Sequence, residues 1–435
     1  MTYTAPAVVI DNGSYTTKAG FSLEDLPSLV FNSNYVKNEH TQQVIIGDEQ
    51  MESNNDQEVI KLLDNGLVYD FENIVHNWQY VYDNIDNNNL ISSKEFPLVV
   101  TEQPWNTTKN KVKACQIAFE NLEVPIFSLV KNPLAQLYRC GKATGLVIDI
   151  GSSVTSVTPI LDGVIQLKCS YHSKYAGDFV NLHVLNYLQS KTLIDNLLPA
   201  QFSNNSSESF KQYYMSHNIL QEFKNLSLNY QIKDYQLYNH DFIDVSDQQN
   251  YLDNLFDPTL QKLPNIQIPE PSIDKPGSHG LTNLVFLALK NLEATLLPQN
   301  SNNGNNTNDA ASSTRFHRFI DIFKSLLSNV LITGGTSAAN GLPDHIINDL
   351  KALTQKYFPN YPFAYSVQQI RPNNTENAEI WDRQFGAWLG ACNLASMLND
   401  LDEKSNSAKI ALDNWFITKA DYEELGEDLV AEKFK

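Results

Sequence analysis

A repeat constrains this chain more than any other feature. Residues 8–17 read VVIDNGSYTT and residues 146–155 read LVIDIGSSVT, so three apolar β-formers followed by D-x-G-S-x-x-T recur 138 positions apart. A run of β-formers brings each Asp to the end of a buried strand. The Gly lets the backbone turn sharply and come close to a ligand. The Ser and the neighbouring backbone N–H groups then form an anion-binding nest, and the Asp, set back from it, can hold a hydrated Mg²⁺. A single hairpin of this kind is most often only a β-turn. Two with the same internal spacing, facing each other, are expected to clamp the phosphates of a nucleotide from both sides. Asn12-Gly13 is a strong hairpin signal because both central turn positions tolerate positive φ. A third strand, 330–333, runs into Gly334-Gly335-Thr336, which suits close approach to a flat ligand such as a purine.

The rest of the 435 residues allows two or three domains of α/β type. Strands are expected at 96–101 and 145–149, and helices at 58–63, 71–82, 109–120 and 388–398. Two stretches read as surface loops, 203–209 and the polar, low-complexity run 299–314, which is expected to be a disordered insertion within a domain. No Gly/Pro linker divides the chain, so the domains should be discontinuous. In the last helix Leu389, Asn393, Leu394 and Met397 fall at i, i+4, i+5 and i+8, the usual period of a core stripe.

Composition removes several functions. Lys and Arg total 31 against 50 for Asp and Glu, a net charge of −19, which disfavours direct binding of nucleic acid and favours a basic partner. The cysteines, Cys115, Cys140, Cys169 and Cys392, form no CxxC pair, which argues against a disulfide scaffold or zinc ribbon and suits a reducing compartment. The opening MTYTAPAVVIDNG lacks the basic and apolar regions of a secretory signal. The longest apolar stretch, 281–292, is interrupted by Asn283 and Lys290 and is too short to span a bilayer. No membrane association is expected. The nine histidines show no paired metal spacing, and no G-x-S-x-G elbow or Cys/His signature supports covalent catalysis.

Further phrases share one pattern. They are Gly47-Asp48-Glu49, Asn65-Gly66-Leu67-Val68 followed by Phe71-Glu72 and Trp78, and the PLVVTEQP run at 97–104. They continue with PILDG at 159–163, LFDP at 255–258, WLGA at 388–391 and WFITKADYE at 415–423. In this order, over nearly the whole chain, they resemble the actin family. The resemblance implies an actin/Hsp70/hexokinase fold, with duplicated domains around a nucleotide cleft. One half would comprise 1–139 plus 376–435, with 31–61 as a shortened outer subdomain. The other would comprise 140–375, with 176–270 as its outer subdomain. ATP with Mg²⁺ would lie in the cleft as a structural ligand. Asp11, Asn12, Gly13, Ser14, Tyr15, Lys18, Asp149, Gly151, Ser152, Ser153, Gly177, Lys224, Gly334, Gly335 and Thr336 would contact it, Asp11 and Asp149 holding the metal through water.

The sequence also departs from actins. Too few residues surround Gly47 for the loop that grips the next filament subunit, so a filament former is not expected. Tyr15 replaces a glycine of the first phosphate loop, and Ser152 an acid of the second. Ala339 replaces a tyrosine near the adenine, and Asn225 a ribose-binding Glu beside the retained Lys224. In Lys131-Asn132-Pro133, Asn132 stands where actins carry the Gln that orients the attacking water. Asn is one methylene shorter, and misplacement by ~1 Å can cost ~10²-fold in rate. The pattern is similar to divergent actin-related proteins, most of all the fungal actin-related protein seven type of SWI/SNF and RSC chromatin remodellers. That resemblance implies a nuclear, non-catalytic subunit paired with a second actin-related protein. It also implies a groove bordered by Tyr138, Cys140, Ala143, Leu389, Asn393, Leu394 and Met397. The groove would receive the basic helix that precedes the motor ATPase. The alternative is a cytoplasmic, actin-like, nucleotide-hydrolysing cytoskeletal protein. A sugar kinase is disfavoured because no acidic base lies in a sugar-binding motif.

Overall fold

The computed structural model describes residues 5–38, 41–86, 89–230, 232–264, 266–297, 309–372, 379–400 and 406–435. Two six-stranded sheets carry the repeat. The first runs Ile417–Thr418, Ile126–Lys131, Leu98–Glu102, Val8–Asn12, Thr16–Phe21, Leu29–Asn32. The second runs Val164–Ile165, Thr155–Leu161, Gly145–Ile150, Val330–Thr333, Gln369–Ile370, with Tyr171–Ser173 also paired to Thr155–Leu161.

The duplication extends to register. Val8 lies opposite Phe21 and Asn12 opposite Thr17, while Leu146 lies opposite Pro159 and Ile150 opposite Thr155. The sequence offset of 138 maps each pair of the first hairpin onto the second. On its other edge each leading strand pairs in parallel, Val8 with Leu98 and Leu146 with Val330, and one more parallel strand follows in both sheets. Val8, Val9, Ile10, Leu146, Val147 and Ile148 are completely buried. Their unbroken apolar runs are what a central strand covered on both faces requires. The chain is thus a duplicated α/β fold.

Helices cover the sheets. Trp78, Tyr82, Cys115 and Phe119 pack with Phe127 in one core, and Phe319, Phe323, Phe358 and Phe363 lie in the other. A third cluster, around Trp388 and Ala135, lies where helix Gly386–Ala395 crosses helix Asn132–Arg139. A Cβ at Gly390 would come within 2.5 Å of the Ala135 carbonyl carbon, so only glycine allows this crossing. Trp388 anchors it, donating its indole N–H to the Val9 carbonyl at 3.0 Å.

Some expectations need correction. Residues 58–63 are not helical: Val59–Ile60 and Leu63–Asp64 are strands, and the helix of this region is Asp48–Ser53. The β-branched pair Val59-Ile60 gains a strand partner in Tyr35-Val36. The run 203–209 is no free loop but a short turn between helices Ala200–Ser203 and Glu208–Tyr214, and its serines bond to residues 55–59. The expected insertion 299–314 lies outside the described residues as far as 308. From Asp309 the chain forms helix Asp309–Leu327, so the final residues of that run are not disordered. Neither Asn12 nor Gly13 has positive φ. Among the described residues, no helix is long and apolar enough to cross a membrane.

Candidate functional site

The two hairpin turns face each other across a cavity of about 760 Å³, and all fifteen residues expected to contact nucleotide line it. Both turns have the same closure. Gly13 donates its N–H to the Thr16 carbonyl at 3.1 Å, and Gly151 to the Val154 carbonyl at 2.9 Å. A Cβ at Gly13 would lie 2.9 Å from the Thr16 oxygen and 3.0 Å from Lys18 Nζ; at Gly151 it would lie 3.2 Å from the Val154 oxygen. Gly13 is therefore needed for space, and a side chain at Gly151 would crowd its turn. The hydroxyls of Ser14 and Ser153, on opposite hairpins, share a 2.6 Å hydrogen bond.

Two carboxylates lie behind the turns. Asp11 accepts hydrogen bonds from Thr101 Oγ1 at 2.6 Å and Lys18 Nζ at 3.3 Å. Asp149 is pushed up to about 6 by burial and then by the Asp11 charge, against the pull of Lys18 and a hydrogen bond with Gln136. Excess negative charge beside a nest of N–H groups suits a cation. Among the described residues no cluster of three or more His, Cys, Asp or Glu could hold a metal. A cation here would therefore meet two carboxylates and otherwise water or ligand oxygens, the usual habit of Mg²⁺.

The other walls come from the second sheet and its helices. Gly177 opens helix Gly177–Lys191, donating its N–H to the Gly151 carbonyl at 3.0 Å. Next to it Ser152 Oγ donates to Asp178 at 2.6 Å. Thr336 Oγ1 donates to the Gly151 carbonyl at 2.8 Å. Gly334 has φ 90°, and a Cβ there would collide with Asp149 Oδ1 and the Ile150 carbonyl. Gly335 would meet nothing within 4 Å, so its backbone is open to a ligand. Burial pushes the Lys224 ammonium down to about 8 despite Asp178. A ligand oxygen would relieve that desolvation. Asn132 is only 7% exposed and its side-chain carbonyl has no hydrogen-bond partner. It faces the same cavity. A buried unpaired acceptor in a phosphate-sized cavity fits a bound water, metal aquo ligand or nucleotide group. These residues fit ATP with Mg²⁺.

Gln136 and two ring stacks escaped the sequence reading. Gln136, four residues after Asn132 on the same helix face, accepts from Thr333 Oγ1 and reaches Asp149; that spacing was the available signal. The Trp105 ring, which lines the cavity, stacks on His172 at 4.2 Å. Tyr15 stacks on His217 at 4.2 Å and donates its hydroxyl to the His217 carbonyl at 2.9 Å. Pairings so distant in sequence carry no local signature.

The groove residues divide. Asn393 and Ala143 are exposed, while Tyr138, Cys140, Leu389 and Met397 are half-buried. Leu394 is buried in the Trp388 cluster, so it belongs to the core that its helical period also allows, and it is withdrawn from the groove.

Comparison with known proteins agrees with this geometry. The chain is 28% identical to actin-related protein 7 of Saccharomyces cerevisiae, covering 98% of each chain. It is 27% identical to actin-related protein 4 of Yarrowia lipolytica over 100% of this chain and 99% of that one. Actin-related protein 4 of Arabidopsis thaliana is 23% identical over 98% of each. A family profile described as Actin matches residues 2–435. With the duplicated register, the facing hairpins and a match over the whole length, this chain belongs to the actin family.

Proposed function

We propose that the protein is a non-catalytic actin-related subunit of a nuclear chromatin-remodelling complex of the SWI/SNF or RSC type. In this reading it pairs with a second actin-related protein. It grips the basic helix preceding the motor ATPase along Tyr138, Cys140, Ala143, Leu389, Asn393 and Met397. ATP with Mg²⁺ serves as a structural ligand between the halves 1–139 plus 376–435 and 140–375, stabilising them by mass action. The protein does not build filaments.

Asn132 carries the non-catalytic part. Its carbonyl reaches the cavity wall one methylene short of the residue that orients water in actins, and Pro133 stiffens the element that bears it. Gln136 cannot substitute, because its amide is engaged by Thr333 and Asp149. The chain's net charge of −19 favours a basic guest, and Asn393 and Ala143 are exposed where it would lie. The fold alone does not select this function; the similarity of the sequence to the actin-related protein seven type is what supports it.

Mass spectrometry of a native pull-down tests the assembly. Co-recovery of a second actin-related protein and a motor ATPase is expected, and recovery of a free monomer alone would overturn the reading. Single-turnover assays should show little or no phosphate release; fast release would restore the hydrolase alternative.

A further inference from the structure

Two outer lobes meet through side chains that lie outside the cavity lining and that no nucleotide role explains. On one side is the three-stranded sheet Val44–Ile45, Tyr35–Lys37, Val59–Ile60 with helix Asp48–Ser53. On the other is the stretch from helix Ala200–Ser203 through Glu208–Tyr214 to the π-turn Met215–Ile219. Val36 and Met51 from the first lobe and Phe202, Phe210 and Tyr213 from the second form a single apolar cluster. Val36, Met51 and Phe210 are completely buried. A three-stranded lobe this small cannot bury such side chains within itself; it borrows the phenylalanines of the other lobe.

Polar contacts fix the register of this seam. Val59 N–H donates to Ser209 Oγ at 2.9 Å, and Ser207 N–H donates to the Asn55 carbonyl at 2.9 Å. Ser207 Oγ donates to the Gln57 carbonyl at 2.7 Å, and Ser206 Oγ to Asn55 Oδ1 at 3.0 Å. Deeper in, the Tyr15–His217 stack ties the first phosphate turn itself to the second lobe, its planes within 1° of parallel.

We propose that this seam is a ligand-independent latch: Val36, Met51, Phe202, Phe210 and Tyr213, extended inward by Tyr15 on His217, hold the two halves closed without nucleotide, and the cavity loads or empties only when the seam parts. Parting exposes the apolar cluster and leaves the seam's backbone groups to water, so the closed form dominates. Closure is then a property of the chain, and a ligand enters a preformed site slowly. Only this kinetic consequence rests on nucleotide binding; the latch itself does not.

Hydrogen-exchange mass spectrometry of the full-length, ligand-free protein tests the latch. Peptides covering 44–60 and 199–217 should be protected together. Phe210→Ala should speed exchange in both by at least about tenfold, the factor equivalent to about 1.4 kcal/mol, while the central strand Gly145–Ile150 stays protected. If that strand also loses protection, the milder Tyr15→Gly, which leaves the apolar cluster intact, decides the matter by the same readout around residues 13–16 and 217. Fast exchange of both segments in the free wild type, or protection that arises only with ATP·Mg²⁺, would overturn the proposal. A chase of a fluorescent ATP analogue gives the second readout. Dissociation at least about tenfold faster from Phe210→Ala, whose side chain lies outside the cavity lining, supports gating, and an unchanged rate contradicts it. If the analogue binds no form of the protein, the nucleotide reading fails, and the exchange data still decide the latch.

Discussion

In the first hairpin Asp11 is answered by Thr101 and Lys18, and the next turn sends Tyr15 across the cleft to His217. In the second, Ser156 holds the place of Lys18 and Ser153 that of Tyr15, and Asp149 is left short of positive charge. The backbones share register, glycine closure and sheet neighbours; the charges and long-range ties do not match. Duplication thus supplies a symmetric clamp, and divergence has given one jaw a lysine beside its carboxylate and a tie to His217, and left the carboxylate of the other without a lysine on its own hairpin. In the proposed function that asymmetry offers a phosphate a place beside Lys18 and a hydrated cation one between Asp11 and Asp149.

Substitutions that attack the second jaw's support should have the largest effect. Gly334→Ala forces a side chain onto Asp149 and the Ile150 carbonyl at positive φ. A loss of about 3 kcal/mol or more is expected in urea unfolding. Next comes the carboxylate pair. Asp11→Asn strips the half-buried Lys18 of its carboxylate partner and should cost about 2 kcal/mol. Asp149→Asn removes a charge that burial and Asp11 both oppose, so ligand-free stability should change by less than about 1 kcal/mol or rise. Equal losses at both positions would erase the asymmetry.

Tyr15 has a pH signature. Burial holds its partner His217 down to about 4, against contributions from the Tyr213 carbonyl and Asp178 that favour the charged form, while nearby Lys61 lowers it further. The folded pKa is depressed, so the stabilisation from the neutral ring is complete above the ordinary pKa near 6.5. It is lost as pH falls toward about 4. Melting temperature should decline across that window, and His217→Phe should remove this component. A matching decline in the variant would place the titration elsewhere. The smallest effect is expected from Ser14→Ala, which breaks the hydroxyl pair with Ser153 across the cleft: about 1 kcal/mol by the same unfolding assay.

The hairpins were legible because their chemistry is local: an apolar run, an Asp and a glycine turn fit within ten residues. Even so, Asn12-Gly13 suggested positive φ, where the structure needs glycine for closeness to Thr16 and Lys18. The cavity's fifteen residues could be assembled because family phrases fixed their places. Gln136 was missed because its spacing from Asn132 marks a shared helix face but does not tell that the amide meets Thr333, 197 residues away. The seam was missed for the same reason: serines at 206, 207 and 209 have loop composition, and only the fold brings residues 55–59 to meet them. Leu394 shows the converse, since helical period cannot tell a core face from a docking face.

The central claim is that the two jaws share one phosphate chain. Thermal unfolding of the full-length protein with and without saturating ATP·Mg²⁺, in wild type and Asp11→Asn, tests it most directly. The account predicts a wild-type gain of about 2.7 kcal/mol at one hundred times the dissociation constant, seen as a higher melting temperature and lost in Asp11→Asn. An unchanged melting temperature in the wild type would contradict it.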